Sequence, residues 1–122
     1  MRLTDAQQER YSRHLLLDEL GGEGQERLLS ACVRVRGSSR ASRWAARYLA
    51  ASGVGTLILD DASAAAECRA LSPDVLVFGP ADVDRVADMD VDPEHDSPGS
   101  AERPAEAGAR AALRAVRELS RP

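Results

Sequence analysis

The stretch from Cys32 to Leu59 limits the possible folds of this chain more than any other. Cys32-Val33-Arg34-Val35-Arg36-Gly37 reads as a short strand, Ser38 to Ala41 as a turn, and Ser42 to Ser52 as a helix. Leu57-Ile58-Leu59 is a second strand ending in Asp60-Asp61. Ala41, Ala45, Tyr48, Leu49 and Ser52 recur at helical spacing with Trp44 beside them, and Gly53 stands where a helix-terminating glycine belongs. Strand, tight turn, helix and strand within about 30 residues form a βαβ unit, which requires a parallel sheet with a right-handed crossover. Val33 and Val35 face one way and Arg34 and Arg36 the other, whereas a central parallel strand is ordinarily apolar on both faces. The arginine face must therefore be wet or covered by something acidic.

Before this unit, Thr4-Asp5-Ala6-Gln7 reads as a capping box opening a helix to about Leu20, with Tyr11, Leu15 and Leu16 on its buried side. Gly21 and Gly22 end it, and a short helix from Gly24 to Ser30 carries Leu28 and Leu29. After the unit, Ser63 is placed to cap a helix to about Leu71, stopped by Pro73. Val75-Leu76-Val77-Phe78 form a third strand, followed by a short helix through Val83, Val86 and Ala87. Residues 90–103 read as an acidic, proline-containing linker. A final helix follows to Leu119, with Ala109, Ala112, Leu113, Val116 and Leu119 on one stripe. The expected fold class is α/β: a partial Rossmann-like parallel sheet of about three strands, with N-terminal helices and a C-terminal helix. The expected organisation is a domain over 1–89, a linker over 90–103 and the C-terminal helix over 104–122.

The chain has 122 residues, 43% hydrophobic and 30% charged, a composition of globular domains. No run approaches the ~20 apolar residues that span a bilayer, and Met-Arg-Leu-Thr-Asp has no apolar signal region. Cys32 and Cys68 form no C-x-x-C pair, which points to a reducing cytoplasm and no metal site. All 16 basic residues are arginine, so any mechanism that needs a lysine on a phosphate is excluded, and asparagine is absent. Residues 1–55 carry a balance of +3, residues 56–98 one of −9 and residues 99–122 one of +2. That acidic middle argues against a nucleic-acid partner. Asp82, Asp84, Asp88, Asp90 and Asp92 lack the glycine and closing glutamate of a calcium loop and read as a solvated face.

Three blocks carry a family resemblance: Glu9-Arg10-Tyr11-Ser12-Arg13-His14-Leu15-Leu16-Leu17, then Gly24-Gln25 with Leu28, then Tyr48-Leu49-Ala50-Ala51-Ser52-Gly53-Val54-Gly55-Thr56-Leu57. In order and spacing they resemble the ThiF/MoeB/HesA family, the ubiquitin-activating-like adenylyltransferases, over about residues 4–61. The resemblance implies a Rossmann-like sheet that binds ATP and magnesium and adenylates the C-terminal glycine of a ubiquitin-fold sulfur-carrier protein. The family's G-x-G-G-x-G loop falls on Gly37-Ser38-Ser39-Arg40-Ala41-Ser42, where Gly37 is kept and Ser39, Arg40 and Ser42 replace the other glycines. Asp61 matches the acid that bonds the ribose, and Arg13 matches an arginine that reaches phosphate from the neighbouring subunit. The candidate cofactor-binding residues implied are thus Gly37, Ser39, Arg40, Asp61 and Arg13; no catalytic residue carries over.

The departures fall on the chemistry. The family's S-N-L-x-R-Q block, its nucleotide-binding lysine and its D-x-x-D-N magnesium block have no counterpart in a chain without lysine or asparagine. Each lost glycine served tight turning, close phosphate approach or close helix–strand packing. The expectation is a non-catalytic interaction or dimerisation module with no bound cofactor. Its expected partner is another copy, an intact relative or a ubiquitin-fold carrier. Two alternatives stay open: an active adenylyltransferase, and an anion or nucleotide binder built on Arg36, Arg40 and Arg43 around a helix start.

Overall fold

The computed structural model describes residues 21–93 and 103–121. The capping box, Tyr11, Arg13, Leu15 and Leu16 lie outside the described residues, as does most of the expected linker. Residues 21–30 are helical (α1), followed by β1 (Cys32–Val35), α2 (Arg40–Ser52) and β2 (Thr56–Leu59). A 3-10 turn over Ala62–Ala64 leads into α3 (Ala65–Leu71), then β3 (Leu76–Phe78), β4 (Met89–Val91) and α4 (Pro104–Leu119). The four strands form one parallel sheet in the order β3-β2-β1-β4. This is the expected partial Rossmann-like α/β fold, with one strand more than the sequence pattern revealed.

β4 is the addition. Its three residues pair in register with Val33, Arg34 and Val35, and two backbone bonds extend the ladder at its ends: Asp88 N–H to the Cys32 carbonyl and Arg36 N–H to the Val91 carbonyl, both 2.8 Å. Asp90 and Val91 thus belong to the sheet and not to a linker. The helix expected through Val83, Val86 and Ala87 is absent. That segment is an irregular connection held by Arg85, which donates to the Ser30 carbonyl and the Asp88 carboxylate. Val86 is 86% exposed, so no apolar face exists there to drive a helix.

One face of the sheet carries the core. Val33, Val35, Leu57, Leu59 and Val91 cluster with Ala45, Ala46, Leu49 and Val54 and with Ala111, Ala112, Ala115 and Val116 of α4. The face of α4 differs from the expected stripe: Ala107, Gly108, Ala111, Ala112, Ala115 and Val116 are buried, while Ala109, Leu113 and Leu119 are partly so. Small residues let α4 lie close on α2. A Cβ on Gly108 would stand 2.5 Å from Trp44 Cβ and 2.7 Å from the Ala41 carbonyl oxygen. Among the described residues no helix is long and apolar enough to cross a membrane.

Candidate functional site

The turn between β1 and α2 opens with Gly37 at φ 86°, a left-handed conformation in which glycine costs least. Ser39 is the N-cap of α2; its hydroxyl accepts the Ser42 amide at 3.1 Å, so the helix begins at Arg40, two residues earlier than the spacing indicated. The Ser42 hydroxyl in turn donates to the Arg36 carbonyl at 2.7 Å and lies 3.0 Å from the Ser39 hydroxyl. Ser42, which replaces one family glycine, is thus buried and holds the loop onto the end of β1.

Asp60, at the end of β2, completes the loop. One carboxylate oxygen accepts the Gly37 N–H at 3.1 Å; the other accepts Arg34 Nε and Nη2 at 3.1 and 3.0 Å. Asp61 points elsewhere. It caps the 3-10 turn by accepting the Ser63 amide at 3.0 Å, and hydrogen bonds from Ser63 hold its carboxyl below the usual aspartate range. The capping residue here is Asp61 and not Ser63, because Asp61 has the extended backbone a cap requires (φ −107°, ψ 103°). A small void of about 10 Å³, lined by Gly37, Ser42, Arg43 and Asp61 among others, lies between the ends of β1 and β2 and the start of α2. That is room for about one water molecule.

The arginine face of β1 resolves into two charge pairs across the sheet. Arg34 takes Asp60 from β2 on one side, and Arg36 takes Asp90 from β4 on the other, at 2.7 Å. The Asp90 hydrogen bond holds the Arg36 guanidinium above its ordinary value. Arg36 therefore does not join Arg40 and Arg43. These two converge instead with Arg47 and Arg103 on a groove of about 440 Å³ along the outer side of α2, with Trp44 and Glu67 in its wall. Arg103 comes from the stretch the sequence assigned to the linker. Of the five candidate cofactor-binding residues, Gly37 and Ser39 lie in the loop and Arg40 follows at the helix start. Asp61 faces the same narrow space from the 3-10 turn, and Arg13 lies outside the described residues. Among the described residues no group of three His, Cys, Asp or Glu side chains is arranged to hold a metal.

No family model matches the chain. The chain is 51% identical over 59 residues to the SAMP-activating enzyme E1 of Haloferax volcanii, a match covering 48% of the chain and 22% of that protein. It is 48% identical over 52 residues to the sulfur carrier protein ThiS adenylyltransferase of Escherichia coli, covering 43% and 21%. A third match, to the vegetative protein HesA of Trichormus variabilis, is 49% identical over 57 residues and covers 47% and 22%. The matched stretch thus spans about a fifth of the length of these relatives. About half of the chain is of ThiF/MoeB/HesA type, as the sequence blocks indicate.

Proposed function

We propose that this ThiF/MoeB/HesA-type chain is a non-catalytic relative of the adenylyltransferases that activate ubiquitin-like sulfur carriers, and that it works by binding a protein partner. The observation that carries this reading is the Asp60 carboxylate on the Gly37 N–H. In a glycine-loop nucleotide site, backbone amides at this turn are the donors that receive phosphate. Here an internal anion takes one of them, and the Ser39 hydroxyl takes the Ser42 amide. The residues present do not fit a magnesium triphosphate at this loop, and the chain has no lysine to neutralise one. Preorganised charges of this kind supply several kcal/mol of transition-state stabilisation each. A chain without them keeps the fold and not the chemistry.

The partner is another copy, an intact relative or a ubiquitin-fold carrier, met in the cytoplasm, with neither nucleic acid nor membrane involved. Charge supports the partner reading. The loop after β3 and the β4 region carry Asp82, Asp84, Asp88, Asp90 and Asp92, while α2 and α4 carry arginines. Such segregation steers encounter more than it strengthens affinity. The activities for which the relatives are named favour the alternative, an active ATP-dependent adenylyltransferase, and one experiment separates the two. In a calorimetric titration with magnesium-ATP at low and moderate salt, the non-catalytic reading expects no saturable, magnesium-dependent heat at millimolar nucleotide. Saturable binding that requires magnesium would overturn it and support the adenylyltransferase.

A further inference from the structure

We propose that the groove between the N-terminal turns of α2 and α4 is a binding site for a compact multivalent phosphate anion, such as a short inorganic polyphosphate. This site shares only Arg40 with the glycine-derived loop and does not rest on the partner-binding reading. Four guanidinium groups line one cavity of about 440 Å³: Arg40 from the first turn of α2, Arg43 and Arg47 further along it, and Arg103 at the N-cap of α4. Among the described residues of the lining, one carboxylate opposes them. Glu67 of α3 accepts Arg43 Nη2 at 2.8 Å and lies 3.6 Å from Arg47 Nε. Arg47 also lies over the Trp44 ring, 4.4 Å from its centroid, which fixes the plane of its guanidinium. The described lining residues therefore carry a formal charge of +3.

Arg40 and Arg103 decide the reading. Among the described residues neither side chain forms an ion pair or a hydrogen bond, although both border the same groove. Like charges held together in one concavity repel, and a multivalent anion relieves that repulsion. Guanidinium forks match the tetrahedral oxygens of phosphate bidentately and so favour it over a diffuse counter-ion. The cavity is within the range of small-ligand sites, about 300–1,000 Å³, which suits a compact anion better than a folded surface. The start of α4 adds to this: Arg103 gives no side-chain cap and Pro104 has no N–H, so the amides of the first turn receive no capping partner from the helix itself. An anion must compete with Glu67, so more than one charge is required of it.

The test is a calorimetric titration of the full chain with tripolyphosphate, without magnesium, at low and moderate salt. Saturable binding that weakens steeply with salt is expected. The Arg40→Gln/Arg103→Gln double variant should bind at least about tenfold more weakly, the loss expected for charge-assisted hydrogen bonds. Both residues are exposed, so the unfolding midpoint should stay at the wild-type value. Glu67→Gln gives the opposite sign: removing the internal competitor should tighten tripolyphosphate binding, an outcome that a purely structural role for Glu67 does not produce. A parallel ATP titration distinguishes the sources of the phosphate chain. Affinity equal to that of tripolyphosphate assigns the groove to phosphate charge alone, and tighter magnesium-independent affinity adds a contact to the base. Absence of saturation at low salt, or unchanged affinity in the double variant, would overturn the proposal.

Discussion

On one face of β1, Val33 and Val35 are 0% and 2% exposed in the cluster formed with α2 and α4. On the other, Arg34 and Arg36 reach sideways to Asp60 and Asp90, with about a third to a half of each of these side chains still open to water. The magnitudes separate the two faces. A fully buried valine or leucine contributes about 1.5–3 kcal/mol, whereas an ion pair in contact with water contributes about 0–1 kcal/mol. The apolar face therefore supplies the stability. The polar face supplies register: each arginine of the central strand takes a carboxylate from a different neighbour, so the pairs fix which strands flank β1 and where the loop after it lies.

The largest effect should come from the apolar side. Leu57 is 0% exposed at the centre of the sheet, and Leu57→Ala should cost about 2–5 kcal/mol, removed methyl groups and residual cavity together. In a domain this size that is a large fraction of the total. Urea unfolding followed by far-UV circular dichroism should show a midpoint far below the wild type, or a chain already unfolded in buffer. A small shift would mean that the core relaxes around the gap.

Asp60 is the next largest, because it serves both faces of the argument. Asp60→Ala leaves the Gly37 N–H and two Arg34 nitrogens to water in place of their acceptor, at a cost of about 0.5–1.5 kcal/mol. Asp60→Asn keeps an acceptor and loses the charge, so its cost should fall between wild type and alanine. The same urea experiment checks the order. If the two variants are equal, the charge and not the loop hydrogen bond is what matters. Arg36→Gln should have a smaller effect than either, one that disappears at high salt, because the pair with Asp90 is screened.

Which parts of this structure were legible follows from how local their causes are. β1, α2, β2 and α4 each carry their own pattern, and Gly53, with φ 100°, ends α2 as its position indicated. β4 carries none: Met89-Asp90-Val91 is three residues long inside an acidic run, and it becomes a strand only because β1 offers a ladder and Arg36 a partner for Asp90. The candidate site was legible as a list of residues and not as an arrangement. Asp60 and Asp61 are adjacent, yet side chains alternate along a strand end, so one turns to Gly37 and the other to Ser63. No local pattern tells which carboxylate meets the loop. Arg103 joined the groove for the same kind of reason: its place is set by α4 docking on α2 through Gly108, a contact between distant parts of the chain.

The smallest expected effect sharpens the Asp60–Asp61 contrast through pH. Asp61 has a folded-state carboxyl held below its ordinary value by the hydrogen bonds from Ser63. A lowered folded value means that the unfolded chain binds the proton more readily. The stabilisation is therefore complete above the unfolded aspartate range and is lost as pH falls through the folded one. Stability measured by urea unfolding between about pH 5 and about pH 2 should decline less steeply in Asp61→Asn than in wild type. Asparagine still caps the turn and has no proton to gain. At neutral pH wild type should be at least as stable as Asp61→Asn, because the ionised carboxylate is the form that the Ser63 hydrogen bonds favour. Identical acid limbs would show that the Ser63 hydrogen bonds do not distinguish the ionised from the neutral carboxyl.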